Sequence, residues 1–265
     1  SDIDLRYVRG FDMFLQKRSC CGNTRKFYFK ALRAILNRAN AEGVGSVATY
    51  PFGRGGFEVS KLEEATAKRY LPAAELSKLK SATANNPQCE YARKLFLFSY
   101  YCYGISFIDM AMLTAAHIKQ MEDGDYIVYK RQKIKRQKGV KPISIKITPA
   151  IRQLIESLQA ASPTVDDFLL PVVTRSGYTG ERLYMHIRTR YSKYQKYLRL
   201  LAEELGIDFH LTSYVSRHTA AMTLQRNHIP REVISQMLGH ADLETTNIYL
   251  DSFDNGVINE AAKVL

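Results

Sequence analysis

At 265 residues, with 46% hydrophobic and 24% charged residues, the chain has the composition of a globular protein rather than a disordered one, and is long enough for one large domain or two modest ones. Thirty-eight Lys and Arg against twenty-six Asp and Glu leave a formal charge of +12, which suits a polyanion such as nucleic acid and would also suit an anionic membrane surface. Four cysteines, Cys20, Cys21, Cys89 and Cys102, have the spacing of neither a zinc site nor a disulfide framework, and read as reduced thiols of a cytoplasmic protein.

Residues 1 to about 43 read as helical. The clearest piece starts at Asn23-Thr24 and repeats Tyr28, Leu32, Ile35, Leu36 and Ala39 at helical spacing, with Gly43 as its stop. Seven Lys and Arg lie between Lys17 and Arg38 with no acid among them, including Lys17, Arg18, Arg25, Lys26, Lys30 and Arg33. Such a run points to phosphate contacts as readily as to a solvated face. From Gly43 to Lys61 five glycines and Pro51 with few aliphatics suggest a linker, and so a domain boundary near residue 60.

Beyond Ala73 helices dominate. Leu95 to Ala116 is apolar enough to raise a membrane span, but Asp109 within it and Tyr103-Gly104 across it predict two buried helices instead. From Asp125 to Ile147 an alternation of Tyr126 and Val128, then of Ile143, Ile145 and Ile147, predicts strands joined by a basic turn, and Phe168 to Val173 suggests a third strand. The turn holds seven cations between Lys130 and Lys141, among them Arg131, Lys133, Lys135, Arg136 and Lys138, again without an acid. Further helices are expected over 187–205, 217–226, 230–238 and 243–249. The expected class is therefore mainly α with a small antiparallel β-sheet (α+β): a helical N-terminal module over 1–60 with its linker at about 43–61, and a second module over 61–265.

The last fifty residues carry Arg217 in Ser216-Arg217-His218-Thr219, His240 in Leu238-Gly239-His240, and Tyr249 in Asn247-Ile248-Tyr249-Leu250. Taken singly, each has an ordinary explanation: a surface or ion-pair arginine, a histidine at a helix C-terminus, a structural tyrosine. In this order and spacing they resemble the active-site series of the tyrosine recombinases (phage integrase family). The resemblance covers nearly the whole chain and implies a core-binding domain followed by a catalytic domain, which together clamp double-stranded DNA. It also implies dimers on a site and tetramers in synapsis, with accessory DNA-bending proteins as possible partners, and a cytoplasmic, nucleoid-associated location in a bacterium. An arm-binding domain precedes the core-binding module in many members; this chain starts too late to include one, as a shortened chain or a member without an arm would.

The implied chemistry uses no cofactor, metal or ATP. Cleaving a phosphodiester needs a nucleophile, charge neutralisation on the non-bridging oxygens, and a proton for the leaving 5′ oxygen. By resemblance Tyr249 is the nucleophile, Arg217 a bidentate phosphate ligand, and His240 a hydrogen-bond donor to the phosphate. The family's lysine lies in the hairpin turn, and its nearest match is Lys133, with Lys135 and Lys138 as rivals. The other basic residues of the two clusters would contact the DNA backbone.

Two positions depart from the pattern. Where most members have a histidine three residues before the second arginine, this chain has Tyr214, whose phenol can still donate one hydrogen bond. The first arginine is expected in the turn Tyr101-Cys102-Tyr103-Gly104-Ile105-Ser106-Phe107-Ile108-Asp109. Ser106 occupies its place in the common pattern, and Ser106-x-x-Asp109 also resembles a capping box. The turn is similar to that of a Bacteroides-type branch with its arginine one step before the glycine, where this chain has Tyr103. Impaired cleavage is therefore expected unless another arginine, Arg131 or Arg93, reaches the phosphate. A DNA-binding, architectural protein weakened in catalysis is the alternative reading, and a type IB topoisomerase a more distant one. The tail over 254–265 reads as a short helix, packing either on a neighbouring protomer or on its own domain.

Overall fold

A computed structural model describes residues 3–45, 47–64, 69–239 and 246. The chain divides into two compact units, Ser1–Ala67 and Lys68–Leu265. It is mainly helical, with one small three-stranded antiparallel sheet.

The first unit is built on α1 (Leu5–Lys17) and α2 (Gly22–Ala41). Asp4 caps α1 by accepting the Tyr7 N–H at 2.8 Å. Gly43, at φ 72°, ends α2. Val8 and Leu15 of α1 and Phe29 of α2 form the core together with Phe52 and Val59. The segment Gly43 to Lys61 is thus not a free connector, despite its glycines. Its few apolar residues fold back onto Phe29, whose ring stands 4.5 Å from that of Phe57 between centroids.

The second unit contains α3 (Ala73–Ser81), α4 (Pro87–Tyr101), α5 (Phe107–Ala111), β1 (Ile118–Met121), β2 (Gly124–Tyr129), β3 (Ile143–Lys146), α6 (Pro149–Ala161), α7 (Gly180–Glu204), α8 (Val215–Arg226) and α9 (Arg231–Leu238). The centre is α4, whose Leu95, Phe96, Leu97 and Phe98 are all buried, as a helix apolar on every side must be. It packs against α6, α7 and α8. No helix among the described residues is long and apolar enough to cross a membrane.

The sheet has order β1-β2-β3, with Ile118 opposite Ile127 and Ile127 opposite Ile145. Its third strand is Ile118–Met121, not Phe168 to Val173. The latter stretch makes a single bridge, Phe168 to Thr114, because Pro171 offers no N–H for a ladder while Leu169, Leu170, Val172 and Val173 are buried as turn residues.

Candidate catalytic and nucleic-acid site

Arg217 lies in the first turn of α8 and is only 3% exposed. Its guanidinium donates through Nη1 to the Gly104 carbonyl at 3.1 Å and through Nη2 to the Leu238 carbonyl at 2.5 Å. It thereby ties three elements together: the α4–α5 turn, α8 and the end of α9. The turn reaches it through two successive left-handed residues, Tyr103 at φ 56° and Gly104 at φ 71°. A Cβ on Gly104 would sit 2.4 Å from the Arg217 Cα, so only glycine fits. Ser99 locks the same junction, donating to the Ile105 carbonyl at 2.8 Å and meeting the Ser216 hydroxyl at 2.7 Å.

Ser106, at the place where the resemblance sets a first arginine, is the N-cap of α5. Its hydroxyl accepts the Asp109 N–H at 3.3 Å and donates to Asp109 Oδ2 at 2.6 Å. Asp109 is buried, and its other oxygen accepts the Gln132 N–H at 2.7 Å. One carboxylate thus fastens the α4–α5 region to the loop leaving β2. Beside Gln132, Arg131 Nη1 donates to the Gly239 carbonyl at 3.3 Å. The Tyr129 phenol is buried here; desolvation pushes its pKa well up, Asp109 adds to the rise, and Arg217 and Arg131 oppose it. Lys133 follows Gln132 at the surface, with Lys130, Lys135, Arg136 and Lys138 also exposed.

Tyr214 immediately precedes α8, is 48% exposed, and meets the His218 ring edge-on at 5.5 Å. The residue before it is clamped from α7: Gln195 accepts the Ser213 N–H at 2.8 Å and donates to the Tyr191 hydroxyl at 3.1 Å, which meets the Ser213 hydroxyl at 3.2 Å. Tyr103 is half-buried, and burial raises its phenol pKa. Arg93 is not available to a ligand. It is committed to both Glu90 oxygens, at 2.7 and 2.8 Å, and to the Leu79 carbonyl. His240 and Tyr249 lie outside the described residues, as do the helix expected over 243–249, apart from Thr246, and the tail over 254–265.

In the first unit the basic cluster separates into two kinds of residue. Arg25 Nη1 donates to both Asp12 oxygens, at 2.9 and 3.0 Å, and Lys26 pairs with Glu63 at 2.6 Å, so both spend their charge internally. Lys17, Arg18, Lys30 and Arg33 are exposed, Arg18 lying over the Phe14 ring at 5.6 Å. Lys30, Arg33 and Arg54 line an open groove in this unit.

A third basic stretch escaped the sequence reading. Arg182, Arg188, Lys193, Lys196 and Arg199 are exposed along α7, with no acid between Arg182 and Ala202. The same acid-free criterion would have found it, but the cations are diluted among aromatic and aliphatic residues.

Similarity to known proteins agrees with this architecture. Residues 1–58 match the phage integrase SAM-like domain, and residues 69–255 match the phage integrase family. A tyrosine recombinase XerD of Halalkalibacterium halodurans is 43% identical over 54 residues, which is 20% of this chain and 18% of that one. Among solved structures, the Tn1549 transposon integrase in complex with a circular intermediate DNA superposes with a TM-score of 0.67 at 13% identity, covering 99% of this chain and 86% of that one. The XerH recombinase bound to difH in its pre-cleavage complex gives 0.66 at 18% identity, covering 98% and 70%. These structures share the fold. Since the catalytic-family match runs through Arg217, His240 and Tyr249 and takes in most of the chain, the chain belongs to the phage integrase family.

Proposed function

We propose that the chain is a site-specific DNA recombinase of a mobile element or inversion system, acting on double-stranded DNA as an oligomer. In this reading Tyr249 attacks the scissile phosphate, forming a 3′-phosphotyrosine as the bond to the 5′ oxygen breaks. Lys133 protonates that oxygen, and Arg217, His240 and Tyr214 neutralise or hydrogen-bond the non-bridging oxygens. The 5′-hydroxyl of a partner strand reverses the step. The single observation that carries the reading is Arg217: a buried guanidinium braced by two carbonyls where three elements meet, inside a family match that also spans the histidine and the nucleophile.

Incubation with nicked suicide duplexes drawn from the DNA flanking its own coding sequence tests this, followed by denaturing electrophoresis. A covalent adduct that Tyr249→Phe abolishes is expected. Tight binding with no adduct would overturn it in favour of a DNA-binding, architectural role, which the committed capping of Ser106 and the absence of arginine from the α4–α5 turn would then explain.

A further inference from the structure

The α4–α5 turn brings no cation to the site. Ser106 is consumed as a helix cap, Tyr103 is an un-ionised phenol, and Arg93 is held by Glu90. A phosphodiester passing through a pentacoordinate state concentrates charge on two non-bridging oxygens, and a lone guanidinium leaves one side of it uncompensated. A replacement must be a cation held in place rather than a mobile surface lysine.

We propose that Arg131 is that replacement, binding the same phosphate as Arg217 in place of the absent first arginine; the assignment rests on the recombinase reading. Its backbone is fixed on both sides. Tyr129, two residues before, is buried and paired with Ile143, and Gln132, one residue after, donates its N–H to buried Asp109. Its side chain points to the end of α9, where it holds the Gly239 carbonyl while Arg217 holds that of Leu238. The two guanidiniums therefore converge on consecutive carbonyls, one residue before His240. The negative end of the helix dipole supports both cations there. A Cβ at Gly239 would meet the Arg131 Cδ at 3.3 Å and Ile143 at 2.4 Å, so this approach depends on glycine at that position. Arg131 donates one hydrogen bond to the described residues, leaving most of its five N–H donors for an anion. Among the described residues, Lys133, Lys135, Arg136 and Lys138 have no comparable anchorage.

The test measures, on a nicked duplex that traps the chain, the adduct rate at saturating protein together with DNA affinity and thermal midpoint. Arg131→Ala is expected to slow the adduct step by about 100-fold or more while affinity changes by less than about 5-fold. Arg131→Lys, which keeps the charge and loses the fork, should recover only part of the rate. Tyr103→Arg in the Arg131→Ala background should restore it, a result that a merely structural role for Arg131 would not give. An unchanged rate in Arg131→Ala, or a loss confined to affinity, overturns the assignment and leaves the recombinase reading standing. A failure of the unaltered chain to form any adduct defeats both.

Discussion

At the scale of single residues, two positions hold the site together through contacts within the protein. Gly104 takes a left-handed conformation directly against Arg217, where a methyl group would lie 2.4 Å from the Cα and 2.5 Å from the Cβ of that residue. Neither atom can swing aside, since both belong to the root of a buried side chain. Gly104→Ala should therefore cost about 2 to 4 kcal/mol, combining left-handed strain with overpacking. A fall in the urea midpoint would show it, and an unchanged midpoint would mean that the turn relaxes freely. Asp109 is the second such position. Asparagine is nearly isosteric, but its amide nitrogen cannot accept from either Ser106 or Gln132, so one of two part-buried donors loses its acceptor. Asp109→Asn should destabilise the fold by about 1 to 3 kcal/mol. It should also lower the adduct rate by more than that loss of folded protein explains, because Arg131 and Lys133 flank the residue it holds. Equal losses in folded fraction and rate would reduce Asp109 to a purely structural role.

At the scale of elements, α7 organises what surrounds the site. Its Gln195 and Tyr191 grip Ser213, and its first turns hold the 174–178 loop through His186, whose Nε2 accepts the Thr174 N–H at 3.2 Å. That acceptor exists only in neutral imidazole. Burial, then Arg190, Arg175 and Lys193, lower the His186 pKa. A depressed histidine pKa contributes stability that is complete above the unfolded value of about 6.5 and is lost as pH falls through the folded value. The thermal midpoint should thus drop below about pH 6.5 with a slope that His186→Gln flattens; parallel curves for the two proteins would refute this. The same helix shows why legibility was uneven. Its buried Ile187, Tyr194, Leu198 and Leu201 gave a clear period from residue 187 onward, but Gly180 to His186 bury no side chain fully and pack only Leu183 against the core, so the first two turns left little periodic signal. The strands Gly124–Tyr129 and Ile143–Lys146 alternate and were readable, whereas Phe168 to Val173 is apolar for burial in a turn, which composition cannot separate from a strand. Arg217 and its neighbours were legible as a motif. The Asp109–Gln132 and Arg131–Gly239 contacts were not, because they join positions 23 and 108 residues apart and depend on packing alone.

At the scale of the whole molecule, the net charge of +12 does not act as a uniform basic coat. Part of it is spent on folding. Asp12 is buried, and Arg25 Nη1 bridges its two oxygens, so removing that arginine leaves a buried carboxylate with Gln16 as its remaining side-chain donor and no charge partner among the described residues. Lys30 and Arg33, a turn or two along the same helix, are exposed and form no direct ion pair among the described residues, Lys30 acting on Glu63 only through its field. On the recombinase reading these exposed cations, with those of the hairpin loop and α7, displace counterions from DNA, and binding weakens linearly in log salt with a slope of about 0.9 per phosphate neutralised. Lys30→Ala and Arg33→Ala should therefore each reduce the slope by about 1 and leave the thermal midpoint where it was. Arg25→Ala should do the reverse, lowering the midpoint of the first unit through a loss of about 3 kcal/mol while the slope stays put in protein that remains folded. Titrating DNA at several salt concentrations beside thermal melts separates the two classes. A change of slope in Arg25→Ala without a change of midpoint would show that this ion pair opens to meet the phosphate backbone.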